Sequence, residues 1–267
     1  MDKYIIYSKY ENLSLLDSTR YLLRLLDIDA IRDTSFESYG CYFSSIAQEK
    51  LFLLIQAYNI ALASSRGCDL LVLDEDAYYN LVLAKNTIDS NHNLFNDINS
   101  KLSKLGVCYT KDTNVIYILD LLVRSGNLDK IKDMQNISFR DFSASLFCNN
   151  NLEFNLSILF DLLKLKITFK ENKTFFNQEI FNKYFAYKYS AIGLESALDS
   201  GSDFIITTSI GVFNMFDKKR SKLSQSINRS LGKIPVLFLS QLLLLSFGIK
   251  DEELLAFKYH KFIPKFI

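Results

Sequence analysis

Two kinds of apolar pattern follow each other repeatedly along the chain. Short apolar runs, such as "YIIY" at Tyr4–Tyr7 and "LLVL" at Leu70–Leu73, are followed by longer stretches with apolar residues at helical spacing. The short runs predict buried strands, and the longer stretches predict helices. Strands that alternate with helices are typical of a parallel sheet covered by helices. The pattern therefore predicts an α/β fold.

The ends of several helices are also predicted. Glycine just past a helix favours the left-handed closing conformation. The glycines predicted to follow helices are Gly67, Gly106, Gly126, Gly201 and Gly248. One long helix is predicted over residues 45–66 and another over 211–230. Asp89 or Ser90 is predicted to be the N-cap of the helix that ends at Gly106.

The two halves of the chain show the same order of elements. "RGCDLLVL" and "SGSDFIIT" each follow a long helix, and their glycines, Gly67 and Gly201, are 134 residues apart. "LLDID" at 25–29 and "LLKLK" at 162–166 are 137 residues apart. A near-constant offset indicates duplication. We therefore expect two pseudo-symmetric Rossmann-like domains with parallel sheets, spanning 1–135 and 136–267.

Composition narrows the functional classes. The 31 basic and 30 acidic residues leave a net charge of +1, so no overall field favours nucleic acid. The N-terminus has no apolar core of signal-peptide length, and the longest apolar-rich run, Pro235–Phe247, is shorter than the about 20 residues of a membrane span. A cytoplasmic protein is expected. Two histidines make a histidine metal site or a catalytic triad improbable, and four scattered cysteines predict reduced thiols without a zinc motif.

The C-terminal segment "GKIPVLFLSQLLLLSFGIKDEELLAFKYHKFIP" resembles that of the B subunit of heterodisulfide reductase and its relatives, which are built from two cysteine-rich CCG domains. In that family a Pro-Val-Leu-His-Leu-Ser-Gln-Leu stretch precedes an apolar helix, a glycine and an acidic turn. The first half agrees in the order of "DSTRYLLRLLDID", "AYNIALASSRGCDLLVL", "FNDINSKLSKLG" and "VIYILDLLV". The resemblance covers nearly the whole chain.

The resemblance implies two CCG-type α/β domains whose cysteines hold iron–sulfur clusters. In the family these clusters reduce a disulfide or exchange electrons with a quinone-linked partner. Each domain has one cysteine after its first strand, a Cys-Cys pair before the long helix and a Cys-x-x-Cys after the next strand. In this chain the first-half positions fall on Tyr10, Gly40, Cys41, Asp74 and Ala77, and the second-half positions on Cys148, Phe175, Phe176, Ser209 and Val212. The family histidine before Leu-Ser-Gln is Phe238, and its first-half counterpart is Tyr117.

Most of the implied ligands are therefore missing. Two of the ten positions keep a cysteine, Cys41 and Cys148, whereas a cluster usually needs four thiolates. Phe175, Phe176 and Val212 would fill the vacated space with apolar volume. We expect a degenerate family member with no metal, no cofactor and no catalytic residue of its own.

Two functions are compatible with this pattern. The chain would be a structural or docking subunit of a redox or respiratory complex, with a dehydrogenase or iron–sulfur subunit as partner and no nucleic acid. It would be cytoplasmic, with peripheral association at the inner face of the membrane. The alternative is an active oxidoreductase or electron-transfer subunit of a heterodisulfide reductase-like or quinone-linked dehydrogenase complex. Such a subunit would use another cofactor or a cluster supplied by a partner.

Local features also have competing interpretations. Asp74, Glu75 and Asp76 could hold a hard cation through oxygen ligands, but helix capping is favoured. Cys41 and Cys148 could be redox-active or reactive thiols, but ordinary buried cysteines are favoured.

Three features of the second half could bind partners. The basic stretch 217–233 could bind an acidic partner or anionic lipid, although a solvated helix face is favoured. The turn at Gly211 could bind an anion. The apolar helix 239–247 could contact a membrane protein, although burial is favoured.

Overall fold

The structure is a computed structural model that describes residues 3–7, 12–38, 42–171 and 176–264. The strands are β1 (Tyr4–Tyr7), β2 (Ala30–Arg32), β3 (Asp69–Val72), β4 (Val115–Tyr117), β5 (Ser143–Phe147), β6 (Lys166–Glu171), β7 (Phe204–Thr207) and β8 (Val236–Phe238). The helices are α1 (Leu13–Leu25), α2 (Tyr42–Ala47), α3 (Glu49–Ser65), α4 (Glu75–Asp89), α5 (His92–Leu102), α6 (Ile118–Leu122), α7 (Ser125–Met134), α8 (Glu153–Leu163), α9 (Lys183–Asp199), α10 (Ile210–Phe213), α11 (Arg220–Ile227) and α12 (Leu239–Ser246). Short 3-10 turns lie at Ser103–Leu105, Asn150–Leu152, Phe176–Ile180 and Phe257–Tyr259, and a π turn lies at Asn214–Lys218.

Two four-stranded parallel sheets have the same strand order. The first is ordered β2-β1-β3-β4 and the second β6-β5-β7-β8. In the first sheet Tyr4 of β1 pairs in parallel with Asp69 of β3, and in the second Ala144 of β5 pairs in parallel with Phe204 of β7. The predicted α/β fold of two pseudo-symmetric domains with parallel sheets is confirmed.

Contacts divide the chain into two compact units. The first comprises Met1–Glu11 and Asp27–Leu121, and the second comprises Asn12–Leu26 and Leu122–Ile267. Helix α1, from the first half of the sequence, therefore belongs to the second unit. The position in sequence at which the duplicated domains join, between residues 135 and 136, stays a prediction.

The apolar runs of the two central strands β3 and β7 are fully buried. Leu70, Leu71 and Val72 of β3 have no exposed surface, and Ile205 and Ile206 of β7 have none either. Unbroken apolar strands are expected where helices cover both faces of a parallel sheet. Ligands of open parallel sheets bind at the carboxyl ends of the strands, so the turns that follow these two runs are the places to look for a site.

Some predicted helix ends are confirmed and others are wrong. Gly67 and Gly201 have φ values of 63° and 73° at equivalent places after α3 and α9. Gly126 does not end a helix, because α7 begins at Ser125 after an extended Arg124. The N-cap of α5 is Asn91, rather than Asp89 or Ser90, since the Asn91 side chain accepts a hydrogen bond from the Leu94 N–H at 3.1 Å.

Two helices predicted as continuous are interrupted. The helix expected over 45–66 breaks at Gln48, which separates α2 from α3. The helix expected over 211–230 consists of α10, the π turn and α11. A π turn inserts one residue per turn and is frequent at functional sites.

The apolar helix α12 is buried in the second unit, as predicted. It packs against α1, where the Ser18 and Ser240 hydroxyl oxygens lie 2.8 Å apart and Gln241 donates to the Ser14 hydroxyl at 2.9 Å. These buried polar groups satisfy one another, as buried polar groups must. Within the described ranges, no helix combines the length and the apolar character needed to cross a bilayer.

Candidate functional site

In the first unit the candidate site lies at the turn between β3 and α4. Asp74 is the N-cap of α4, and its Oδ2 accepts a hydrogen bond from the Ala77 N–H at 3.1 Å. Glu75 and Asp76 follow in the first helical turn. Carboxylates at a helix N-terminus satisfy unpaired N–H groups and interact favourably with the helix dipole. The capping interpretation of this acidic run is therefore confirmed.

The second unit repeats this geometry at the turn between β7 and α10. Ser209 is the N-cap, and its Oγ accepts from the Val212 N–H at 3.4 Å. The Ser209 N–H in turn donates to the Thr207 hydroxyl at 3.1 Å. All three side chains are buried.

The two caps have the same residue spacing as a Cys-x-x-Cys motif. An N-cap oxygen bonds the N–H three residues later, and a Cys-x-x-Cys motif places its second thiol at the same distance in sequence. Asp74 and Ala77, like Ser209 and Val212, stand at this separation. One backbone turn can therefore present two thiolates or close a helical cap.

Stacked aromatic rings lie beside each turn. Tyr78 stacks on Tyr117, at the end of β4, with ring centroids 5.1 Å apart and planes 29° apart. Phe213 stacks on Phe238, at the end of β8, at 4.7 Å and 25°. Tyr117 and Phe238, the residues predicted to stand at the family's histidine positions, are both buried among packed rings. Burial, with a smaller contribution from Asp120, raises the pKa of Tyr78.

The C-terminal segment completes the second site. The His260 ring contacts Phe213 and Phe257 edge-on, with centroids 4.9 and 5.2 Å apart. Its Nε2 lies 2.8 Å from the Gln241 Nε2 and 2.7 Å from the Ser14 Oγ. The Gln241 Oε1 accepts from the Phe238 N–H at 3.0 Å, which orients the amide so that its NH₂ group faces the imidazole.

The protonation of His260 follows from this arrangement. Burial, with a smaller contribution from Lys218, lowers the pKa of His260 to about 4. Asp217 has a smaller effect in the opposite direction. The ring is therefore neutral at pH 7. Because Nε2 accepts from Gln241, the ring proton is assigned to Nδ1, which is buried and has no hydrogen-bond partner among the described residues.

Cys148 directly follows β5 and is 1% exposed. It is one of three described cysteines that form no disulfide, together with Cys68 and Cys108. Its neighbour Phe147 packs edge-on against Phe216 with centroids 4.7 Å apart. The thiol is therefore enclosed in the packed interior at the end of this strand.

The structure does not test the remaining predicted positions. Tyr10, Gly40, Cys41 and Phe175 lie outside the described residues. Phe176 is described only as the first residue of a 3-10 turn. The roles predicted for these residues stay predictions.

The described residues do not fit a cysteine-ligated iron–sulfur cluster. Ala77 and Val212 carry no side-chain atom that can bind a metal, and the oxygens of Asp74 and Ser209 accept capping hydrogen bonds. Cys148 alone supplies a thiol at a matched position among the described residues, whereas each cluster needs several thiolates. Over the same part of the chain, no three side chains of His, Cys, Asp or Glu group together as a metal site would require.

The basic stretch 217–233 is not entirely a solvated helix face, because two of its charged side chains, Asp217 and Arg220, are buried. Arg220 is 2% exposed and donates to the carbonyl oxygens of Phe216 at 2.7 Å and Ile234 at 2.6 Å. Burial lowers its pKa to about 10, partly opposed by Asp217. Asp217, fully buried, accepts the N–H groups of two residues of the C-terminal segment at 2.7 and 3.1 Å. No local sequence pattern distinguished these two buried charges from the solvated ones around them.

A family comparison covers the second unit's site. Residues 178–261 match the HdrB-like C-terminal domain. This part of the chain is similar to that domain. The match confirms the predicted resemblance for residues 178–261. These residues include the Ser209 cap, the Phe213–Phe238 stack and His260.

A solved structure extends the likeness to the other unit. The crystal structure of a hypothetical protein from Helicobacter pylori is similar over 100% of this chain, with 25% sequence identity and a TM-score of 0.88. The matched region is 53% of that protein, so this chain spans about half of its length. The similarity therefore covers both units of this chain.

Proposed function

We propose that this chain is a cluster-less relative of the B subunit of heterodisulfide reductase, and that it acts as a structural or docking subunit of a redox or respiratory complex. Its partners would be dehydrogenase or iron–sulfur subunits. It would lie in the cytoplasm, with peripheral association at the inner face of the membrane. The HdrB-like domain supports the redox setting.

One observation carries the proposal. In both units the turn predicted to match the family's Cys-x-x-Cys is a helix cap, and the residue predicted to match its histidine is a stacked aromatic ring. Packed rings stabilise the scaffold but supply no ligand. Retention of the scaffold in both units, with ligand chemistry replaced in both, favours a role in assembly over a role in electron transfer.

The burial of Cys148 supports the same conclusion. A reactive cysteine needs access and a lowered pKa, whereas a buried cysteine behaves as a small apolar residue. Cys148 is enclosed at the end of β5. It is therefore better suited to packing than to thiol chemistry.

The test begins with the purified chain and its native complex. Iron, acid-labile sulfide and visible absorption are measured, and we expect none at a stoichiometric level in the chain prepared without oxygen. A stoichiometric cluster would contradict the proposal.

Activity of the complex is then compared for Cys41→Ser, Cys148→Ser and deletion of the chain. We expect the two substitutions to leave activity unchanged and the deletion to impair assembly, whereas a loss of activity in either serine variant favours the electron-transfer alternative.

A further inference from the structure

Helix α9 and the turn before it present large apolar side chains to solvent. Ile180 is 71% exposed, Tyr184 65% and Ile192 42%. Phe181 and Tyr189 on the same segment are also exposed. A concentration of large exposed apolar side chains on one segment is typical of an interaction site.

A lysine lies in the middle of this surface. Tyr184, Lys188 and Ile192 are spaced by four residues, so they form one stripe with steps of about 6 Å along the helix. The Lys188 Nζ lies 5.9 Å from the centroid of the Tyr184 ring. The positive charge is thus held between two apolar positions instead of at the rim.

The carboxylates of this segment are bonded to other side chains. Glu179 forms an ion pair with Lys219 and accepts from the Tyr187 hydroxyl at 2.7 Å, and these contacts lower the pKa of Glu179 against the raising effect of its burial. Arg229 forms ion pairs with Glu195 and with Asp199, the latter at 3.1 Å.

Exposed lysines lie on α9, which carries two of these paired carboxylates, and on α11. Lys183 and Lys188 of α9 are exposed. Lys222 of α11 is exposed too, and its Nζ lies 5.7 Å from the Tyr187 ring centroid. The surface is consequently apolar and cationic.

We propose that the α9 face, defined by Ile180, Tyr184, Lys188, Tyr189 and Ile192, docks an acidic amphipathic helix of a partner protein. The partner helix places an Asp or Glu against Lys188 and apolar residues one turn before and after it. This inference rests on the proposed function for the existence of a partner in the complex. To that proposed function it adds the surface on which the partner docks and the chemical character of the partner's contact residues.

The position of Lys188 favours a protein helix over a lipid surface. A surface that inserts into a bilayer keeps its cations at the rim, where they reach the headgroups, and buries an uninterrupted apolar face. A helix that docks on another helix makes its contacts through side chains spaced by three or four residues. A carboxylate opposite a central lysine adds charge complementarity and sets the register of the contact.

The test places a photo-cross-linking amino acid, p-benzoylphenylalanine, at position 184 of the full chain in cells that carry the gene. The same amino acid at Leu105, exposed in the first unit, is the matched control. We expect position 184, and not position 105, to cross-link to one peptide with an Asp or Glu between apolar residues at helical spacing. Lipid adducts only, a second copy of this chain, a peptide without an acidic residue, or equal labelling at position 105 would overturn the proposal.

Charge reversal tests the role of Lys188. Lys188→Glu should lower the yield of that cross-link by at least roughly tenfold, and replacing the partner's carboxylate by lysine should restore it. Lys50→Glu, an exposed lysine of α3, is the control and should leave the yield unchanged. Circular dichroism checks that the variants remain folded. An unchanged yield in the folded Lys188→Glu protein, or no recovery on the partner exchange, contradicts the proposal.

The two proposals fail in different ways. A stoichiometric iron–sulfur cluster in the purified chain would overturn the cluster-less function and leave the cross-link to an acidic helix standing. An iron-free chain whose position 184 labels only lipid would overturn the α9 docking surface and leave the cluster-less function standing.

Discussion

Phe213 stacks on Phe238 with ring centroids 4.7 Å apart, at the place where the family would bring a Cys-x-x-Cys turn next to a histidine. His260 contacts the same Phe213 ring edge-on. Three rings thus fill one region of the HdrB-like domain. The packing makes this region part of the hydrophobic core, and its disruption should be measured as a loss of stability.

Truncation of Phe238 should destabilise the chain. Phe238 is fully buried, so Phe238→Ala removes a packed ring and should lower the free energy of unfolding by about 3–5 kcal/mol. Urea denaturation followed by circular dichroism measures the change. Phe154→Ala is the control, because Phe154 is 76% exposed, and it should change stability by less than about 0.5 kcal/mol. Equal effects of the two substitutions would contradict the core role of the stack.

The helix cap at Asp74 should contribute to stability through its acceptor oxygen. Asp74→Ala removes the acceptor of the Ala77 N–H and should cost about 1 kcal/mol. Asp74→Asn keeps an acceptor oxygen and should cost much less in the same urea titration. If the asparagine variant lost as much as the alanine variant, the negative charge rather than the cap would be the important feature.

Stability should depend on pH through His260. Burial lowers the folded-state pKa to about 4 from its ordinary value of 6.5, so the unfolded chain binds the proton more readily. The free energy of unfolding should therefore fall as pH falls from about 6.5 towards 4, by up to about 3 kcal/mol. Above about pH 6.5 the ring is neutral in both states and this effect is absent.

The measurement compares urea titrations at several pH values. His260→Gln should remove most of this slope between about pH 6.5 and 4, whereas His92→Gln, at the exposed start of α5, should keep it. A slope that persists in His260→Gln would assign the pH dependence to the carboxylates instead.

Arg220 should be a buried structural residue. Its guanidinium donates to the carbonyl oxygens of Phe216, Gly232 and Ile234. The guanidinium carbon, Cζ, also lies 4.2 Å from the centroid of the Phe262 ring. Arg220→Ala leaves these carbonyls without their donor and should cost about 2–4 kcal/mol. Lys233→Ala, on the exposed part of the same basic stretch, should be nearly neutral in thermal and urea unfolding. A neutral Arg220→Ala would show that water replaces the lost donor.

Much of the candidate site could be predicted because it depends on residue type and spacing. The acidic run from Asp74 was predicted to cap a helix, since an N-cap needs only a short acceptor side chain ahead of a helical segment. The burial of α12 was predicted from its unbroken apolar run. The interruptions at Gln48 and in the π turn were missed, because backbone breaks inside a periodic apolar pattern leave that pattern nearly unchanged.

The amino-acid sequence by itself determined the α/β class, the duplication and the absence of thiols at most family cluster positions, because these follow from local periodicity and residue identity. The tertiary structure decided the assignment of α1 to the second unit and the stacking of Phe213 on Phe238. It also decided the burial of Arg220 and the contact of His260 with Gln241. Each of these depends on residues distant in sequence, and packing rather than local preference brings such residues together.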